Sequence, residues 1–249
     1  MTTQGILYIA TGKKYVQAAI TAAKTVRAFC PSMDIHFFAD QQNYMDFKFE
    51  ETPFPFTTVR TIDNPHRRSK VDYMSRTPYE RTLYLDTDTA LNADISDMFR
   101  VLERFDIGLA HAMQRNTLIS LAPWRIEIPQ AFPQFNSGVI LYRKTPSVIQ
   151  FLEEWSRYFK ESNPRHDQPI LRELLWLSDL RIATLPPEYN VRHLKYHFLW
   201  SKSEAETKIF HLKQLHMGWL RWVFRDPIRI IQKILFRLGL SKFNPSVKK

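Results

Sequence analysis

Leu83-Tyr84-Leu85-Asp86-Thr87-Asp88-Thr89-Ala90-Leu91 is the stretch from which the rest of the chain can be read. An apolar run from Arg81-Thr82 ends abruptly in two carboxylates separated by one residue. Side chains at i and i+2 of an extended segment point the same way, so Asp86 and Asp88 leave a strand end together. Two hard oxygen ligands at the C-terminal edge of a parallel sheet suit Mg²⁺ or Mn²⁺ carrying a diphosphate. An Asp-x-Asp also occurs in solvated loops, and the apolar strand directly before it is what favours the ligand reading.

Upstream, Gly5 to Ala10 is a short apolar run closed by Thr11-Gly12, and helical apolar spacing follows from Tyr15 to Phe29. Further strands are expected over Asp34 to Asp40 and Phe56 to Ile62, and a helix over Ser69 to Arg76. Downstream, the pattern predicts a helix from Ile95 to Arg104 and strands over Ile107 to Ala110 and Phe135 to Arg143. Helices follow over Ser147 to Glu161 and within His166 to Ser178, then a loop from Leu185 to Asn190. The Pro-interrupted stretch Leu118 to Phe135 resists assignment. Strands alternating with helices imply an α/β architecture around a mostly parallel, doubly wound, Rossmann-like twisted sheet. No clean boundary precedes residue 212, which suggests one catalytic-size domain over 1–217 and a tail over 218–249.

The chain has 249 residues, is 44% hydrophobic and 14% aromatic, and carries a net charge of +10. That composition excludes disordered and fibrous classes. The charge suggests an anionic partner, and its distribution says which kind. From Leu212 onward nine basic residues face a single acid, Asp226, whereas residues 1–211 hold 26 basic and 24 acidic side chains. The body is nearly neutral and the tail is the basic part. The single Cys30 cannot form an intramolecular disulfide, so no oxidising compartment is required. The N-terminus lacks the basic start of a signal peptide, and no run approaches the ~20 apolar residues of a membrane-spanning helix. A cytoplasmic setting is therefore expected.

Four segments together carry a resemblance. Tyr84-Leu-Asp-Thr-Asp88 resembles the Asp-x-Asp motif of nucleotide-sugar glycosyltransferases with the A-type fold. Phe135-Asn136-Ser137-Gly138-Val139 is similar to a strand of the glycogenin-like and bacterial lipopolysaccharide galactosyl- and glucosyltransferases, glycosyltransferase family eight. His166-Asp167-Gln168-Pro169 resembles that group's Asp-Gln segment, and Leu185-Pro-Pro-Glu-Tyr189-Asn190 its Leu-Pro-x-x-Tyr-Asn loop. Each is weak alone; their order and spacing are specific, and the resemblance covers about residues 5–215.

The resemblance implies that Asp86 and Asp88 hold a cation, Mn²⁺ or Mg²⁺, with a third ligand from a His near the end of the domain. His211 is the first choice and His216 its rival. The family context around that His includes Gly and Lys-Pro-Trp, which are missing here; Lys213 supplies a lysine whose place at the diphosphate is left open. Ala10-Thr11-Gly12 follows the first strand where the family places uridine, and Tyr15 is positioned to stack on a base. The plainer alternative makes Gly12 a turn residue and Tyr15 a packing residue. His66-Arg67-Arg68-Ser69-Lys70 opens a helix, so Lys70 and one arginine, with Arg67 assigned, are candidates for the diphosphate or donor hydroxyls. Thr87 and Ser137 join this donor-binding set. Asn136, Asp167 and Gln168 carry polar groups suited to sugar hydroxyls. By resemblance Asp167 binds the donor sugar and Gln168 sits near the anomeric carbon; Asp167 as a mere helix N-cap is the alternative.

In the tail, Ile228, Ile231, Ile234, Leu235 and Leu238 mark one apolar face, while Arg225, Arg229, Lys233 and Arg237 recur every four residues. A cationic stripe beside an apolar one reads as an interfacial amphipathic helix on anionic lipid, placing the protein on the inner face of the membrane. A helix packed on the domain or against a partner is the alternative. Nucleic acid is disfavoured, because the basic residues share a helix with a large apolar face. The expected activity is retaining, metal-dependent transfer of a hexose from a nucleotide diphosphate sugar, expected to be a UDP-sugar. The expected acceptor is a saccharide or lipid-linked saccharide of the bacterial envelope. A catalytically silent nucleotide-sugar or membrane-surface binding protein of the same fold is the rival from another class. A sugar nucleotidyltransferase would want a Gly-rich, Arg-containing loop after the first strand, which Thr11-Gly12-Lys13-Lys14 is not.

Overall fold

A computed structural model describes residues 3–115, 117–162, 167–201 and 203–217. The amphipathic tail over 218–249 and His166 therefore lie outside the described residues. The chain begins with β1 (Gln4–Ala10), α1 (Lys13–Phe29), β2 (Asp34–Asp40), α2 (Gln41–Asp46) and β3 (Thr58–Ile62). The next elements are α3 (Lys70–Tyr73), β4 (Arg81–Leu85), β5 (Thr89–Leu91), β6 (Ile107–His111) and α4 (Leu118–Leu121). Then come β7 (Phe135–Arg143), α5 (Pro146–Ser162), α6 (Gln168–Leu177), β8 (Ile182–Leu185), α7 (Leu194–Leu199) and β9 (Ile209–His211).

Seven strands form one sheet in the order β3-β2-β1-β4-β7-β6-β8. All pairings are parallel except those of β7, which runs antiparallel to both β4 and β6. The expected mostly parallel α/β sheet is therefore present, with one reversed strand. That reversal brings the start of β7, Phe135-Asn136-Ser137, to the same edge as the end of β4.

Successive residues of β1 enter opposite layers. Ile6, Tyr8 and Ala10 pack with α1 residues such as Val16, Ala19, Ala22 and Val26. Leu7 and Ile9 join a second core with Val71, Trp155 and Leu171. Burial on both faces explains why β1 is a continuous apolar run and not an alternating one. Small alanines on α1 let it lie close to the sheet.

Some expectations shift. The helix predicted over Ile95 to Arg104 is a 3-10 helix, Ser96–Glu103, which gives its apolar residues Met98, Phe99 and Leu102 to the core. The Ser69 to Arg76 helix is a single turn of α3 continued by a 3-10 turn, Met74–Arg76. The expected loop from Leu185 starts as the end of β8 and includes a 3-10 turn, Pro187–Tyr189. A second, two-stranded sheet of β5 and β9 was not apparent from the pattern; it pairs Thr89 with His211. Among the described residues, no helix is long and apolar enough to cross a membrane.

Candidate active site

The polar edge is built by three backbone junctions. Asp86 N–H donates to Gly138 O at 2.8 Å, which locks the end of β4 to β7. Leu212 N–H donates to Asp88 O at 2.8 Å, which locks β9 to the acidic turn. His211 N–H donates to Val191 O at 2.9 Å, which brings in the Tyr189-Asn190 segment. Residues from four distant parts of the sequence thus meet at one place.

Asp86, Asp88 and His211 each offer one ligand atom, and these atoms lie within 4.8 Å of one another. His211 Nε2 is 3.1 Å from Asp88 Oδ1 and 3.6 Å from Asp86 Oδ2. The tautomer of His211 follows from a chain of hydrogen bonds that starts at an unambiguous donor. Gly138 N–H, a backbone donor, gives a 3.0 Å hydrogen bond to Asn136 Oδ1. Asn190 must then present its Nδ2 to that same oxygen, at 3.1 Å. Its other end, Oδ1, therefore faces His211 Nδ1 at 2.8 Å and can only accept. Nδ1 carries the proton, and Nε2 points between two carboxylates. Such a cluster is satisfied by a cation, either a proton on Nε2 or a divalent metal. A His–carboxylate set whose distal ring nitrogen is pinned by a second shell is a ligand arrangement metals favour.

Gly138 is required by this closeness. A Cβ there would come within 2.5 Å of Asp86 Oδ2 and would strike the His211 ring. The glycine of the Phe135-Asn-Ser-Gly-Val segment thus makes room for the cluster.

The other half of the site is cationic. Lys70 is buried, and its Nζ donates to Ser137 O (2.9 Å), Ser137 Oγ (3.0 Å) and Asp86 Oδ1 (3.2 Å), and lies 3.4 Å from Asp167 Oδ2. Burial alone would lower the Lys70 ammonium, but Asp167 and Asp86 outweigh it and hold it above the usual range. Asp167 accepts from Ser137 Oγ at 2.8 Å and faces Arg68 Nη1 at 3.5 Å. Burial would raise its carboxyl, yet Lys70 and Arg68 take it below the usual range. Asp86 is governed the same way: Lys70, His211 and the Tyr84 phenol, which donates at 2.6 Å, overcome burial and hold it far down. Asp88 is likewise lowered, by His211 against its own burial.

Asp167 occupies the N-cap position of α6 but makes no side-chain cap, so the capping alternative fails; the carboxylate is turned into the site. The indole Nε1–H of buried Trp155 fixes Asp167 O at 3.2 Å. Gln168 is the first residue of α6 and is half-buried beside it. At the start of the sheet edge, Gly12 takes φ 86° and gives its N–H to Asp40 Oδ2 at 2.7 Å. Thr11 Oγ1 donates to His66 O at 3.3 Å, which joins the Ala10-Thr11-Gly12 turn to the basic segment. Tyr15 is 44% exposed, which leaves its ring accessible.

Of the two arginines, Arg68 and not Arg67 reaches Asp167; Arg67 is exposed. The two faces of a helix start cannot be told apart from adjacent arginines in sequence. Lys213 is exposed on the 3-10 turn Lys213–Met217, two residues beyond His211. His216, the rival ligand, instead meets Thr87 Oγ1 at 3.0 Å. Asn190, Gly138, Tyr84 and Arg68 were not among the assigned site residues. Asn190 and Gly138 stand inside quoted motifs, and only the tertiary pairing shows their task.

The family model for nucleotide-diphospho-sugar transferases matches residues 80–218, more than half of the chain. The chain belongs to this family. The transferase also shares its fold with solved glycosyltransferases. The galactosyltransferase LgtC, crystallised with donor and acceptor sugar analogues, aligns with TM-score 0.59 and 16% identity over 84% of this chain and 87% of its own. Mouse xyloside xylosyltransferase 1 aligns with TM-score 0.55 and 16% identity, covering 84% of this chain and 97% of that one. The glycosyltransferase GlyE of Streptococcus pneumoniae aligns with TM-score 0.58 and 15% identity, covering 85% of this chain and 54% of that one. No curated protein sequence matches significantly. The transferase is thus a nucleotide-sugar glycosyltransferase of the A-type fold resembling family eight, and its family match spans both the acidic pair and His211.

Proposed function

We propose that this glycosyltransferase is metal-dependent and retaining, and moves a hexose from a UDP-sugar to a saccharide or lipid-linked saccharide during envelope glycan synthesis. The observation that carries metal dependence is the His211 tautomer, which leaves Nε2 facing Asp86 and Asp88. Those three residues would hold Mn²⁺ or Mg²⁺, which when bound offsets the charge that grows on the leaving diphosphate. The charges agree: Asp86, Asp88 and Asp167 against Lys70 and Arg68 sum to −1, which repels a diphosphate, whereas a divalent ion makes the sum +1. LgtC's complex with donor and acceptor sugar analogues supports a two-substrate site of this type.

The chain's own residues then divide the work. Lys70 holds Asp86 and Asp167 in fixed positions, and Ser137 fixes Lys70. Asp167 and Asn136 face the donor sugar, with Gln168 near the anomeric carbon, and Ala10, Thr11, Gly12 and Tyr15 receive the base. No carboxylate stands free as a dedicated nucleophile, since Asp86, Asp88 and Asp167 are each engaged by cations or by His211. The bond from the anomeric carbon to the leaving phosphate oxygen therefore breaks as the bond to the acceptor oxygen forms on the same face. The acceptor's proton passes to the leaving phosphate. The basic tail would seat the enzyme on the inner face of an anionic membrane, near a lipid-linked acceptor. Incubation with UDP-glucose, UDP-galactose and their N-acetyl analogues plus Mn²⁺ tests this reading. UDP release and a thermal shift with at least one donor are expected; neither with any donor refutes it.

A further inference from the structure

His216 is taken up neither by the metal cluster nor by the core. It lies on the 3-10 turn Lys213–Met217, directly after the strand that delivers His211. Its Nε2 is 3.0 Å from Thr87 Oγ1, the hydroxyl of the residue between the two acidic ligands. The edge of its ring meets Tyr15 at 5.0 Å between centroids and 86° between planes. Tyr15 stands in the first turn of α1, three residues beyond Gly12. A single imidazole thus spans from the turn that would receive a nucleobase to the turn that would receive the diphosphate.

We propose that His216 is a donor-binding residue that touches the nucleoside diphosphate between Tyr15 and Thr87. This rests on the nucleotide-sugar site described above and adds to it the group that the last turn contributes. Thr87 engages Nε2, which leaves Nδ1 as the second hydrogen-bonding position of the ring. Burial, with Lys14 nearby, keeps the imidazole below its usual range despite Asp88, so it acts as a neutral hydrogen-bonding ring and not as a fixed cation. A neutral ring that donates to a ribose or phosphate oxygen while packing on Tyr15 suits a nucleoside diphosphate better than a simple anion. Inorganic phosphate would meet no base-stacking surface and would gain little from it.

Calorimetric titration of the full chain with UDP in the presence of Mn²⁺ tests the proposal, with GDP and ADP as alternative probes. His216→Ala should weaken the tightest-binding nucleotide about tenfold, the loss expected for one hydrogen bond to a charged ligand. His216→Gln, which keeps a donor, should recover most of it. Mn²⁺ affinity without nucleotide should match wild type in both variants, which separates this role from a metal-site or folding role. On a Tyr15→Ala background, His216→Ala should still weaken binding, since its contact with the nucleotide is direct. Unchanged nucleotide affinity in His216→Ala, an equal loss of Mn²⁺ affinity, or no further effect on the Tyr15→Ala background would each overturn the assignment. If wild type binds none of the three nucleotides, the donor-site reading itself fails, and His216 with it.

Discussion

Asp88 and Asp167 are both buried carboxylates at one edge of one sheet, and their surroundings are opposite. Asp167 is met by Lys70, Arg68 and the Ser137 hydroxyl, so its charge is satisfied by the protein alone. Asp88 has His211 as its close partner, and that ring also faces Asp86. A buried carboxylate with two cations is fixed in place by the protein's own charges, whatever it goes on to bind. Two carboxylates around one imidazole nitrogen form a group that could hold a metal ion. The difference between the two poles is that Asp167 is held by the protein's own cations, whereas Asp86 and Asp88 are the carboxylates that would hold the proposed metal.

The strongest way to break this division is Asp88→Ala. Loss of a metal ligand should cut transfer about a thousandfold, the several kcal/mol that a bound metal contributes to a developing charge. The apo protein should meanwhile lose little thermal stability, because removing one of two facing carboxylates relieves repulsion. Lys70→Met probes the other pole. It strands Asp167 and Asp86 without their shared cation, and unfolding free energy should fall by about 3–5 kcal/mol in a denaturant titration. If Lys70→Met folded as stably as wild type, the scaffold role of the Asp167 pole would be refuted.

Asn190→Leu sharpens the metal pole at one remove. It keeps all three ligands and frees His211 Nδ1, so Mn²⁺ affinity should drop about 10–100-fold while the fold survives. pH offers a smaller effect with a definite sign. The Asp167 carboxyl is held below its ordinary value of 3.8 in the folded state. Its contribution to stability is therefore complete above that value and is lost as pH falls through the lower, folded one. Thermal melts between pH 7 and pH 3 should show the decline concentrated at the acid end, and Asp167→Asn should flatten it.

The fold was legible in the sequence where periodicity and chemistry agreed. β1, β2, β4 and β7 are apolar runs ended by turn or acidic residues, and their ranges match the expected ones to within a residue. The two-stranded sheet was illegible because Thr89–Leu91 and Ile209–His211 are three residues each, too short for a period, and 120 positions separate their starts in the sequence; only pairing defines them. The acidic pair and His211 could be named from their motifs. Asn190 could not be given its task from sequence, since a hydrogen bond to His211 depends on a β-bridge between Val191 and Phe210. That Arg68 and not Arg67 meets Asp167 was illegible as well, because a one-residue choice at a helix start depends on the local turn and not on residue type.

The most direct test of the metal pole is a Mn²⁺ titration followed by electron paramagnetic resonance, run on wild type and Asp88→Ala in parallel. One Mn²⁺ should bind to wild type, more tightly when UDP is present, and binding should be lost in Asp88→Ala. Equal Mn²⁺ binding by both proteins would contradict the assignment of Asp86, Asp88 and His211 as the metal site.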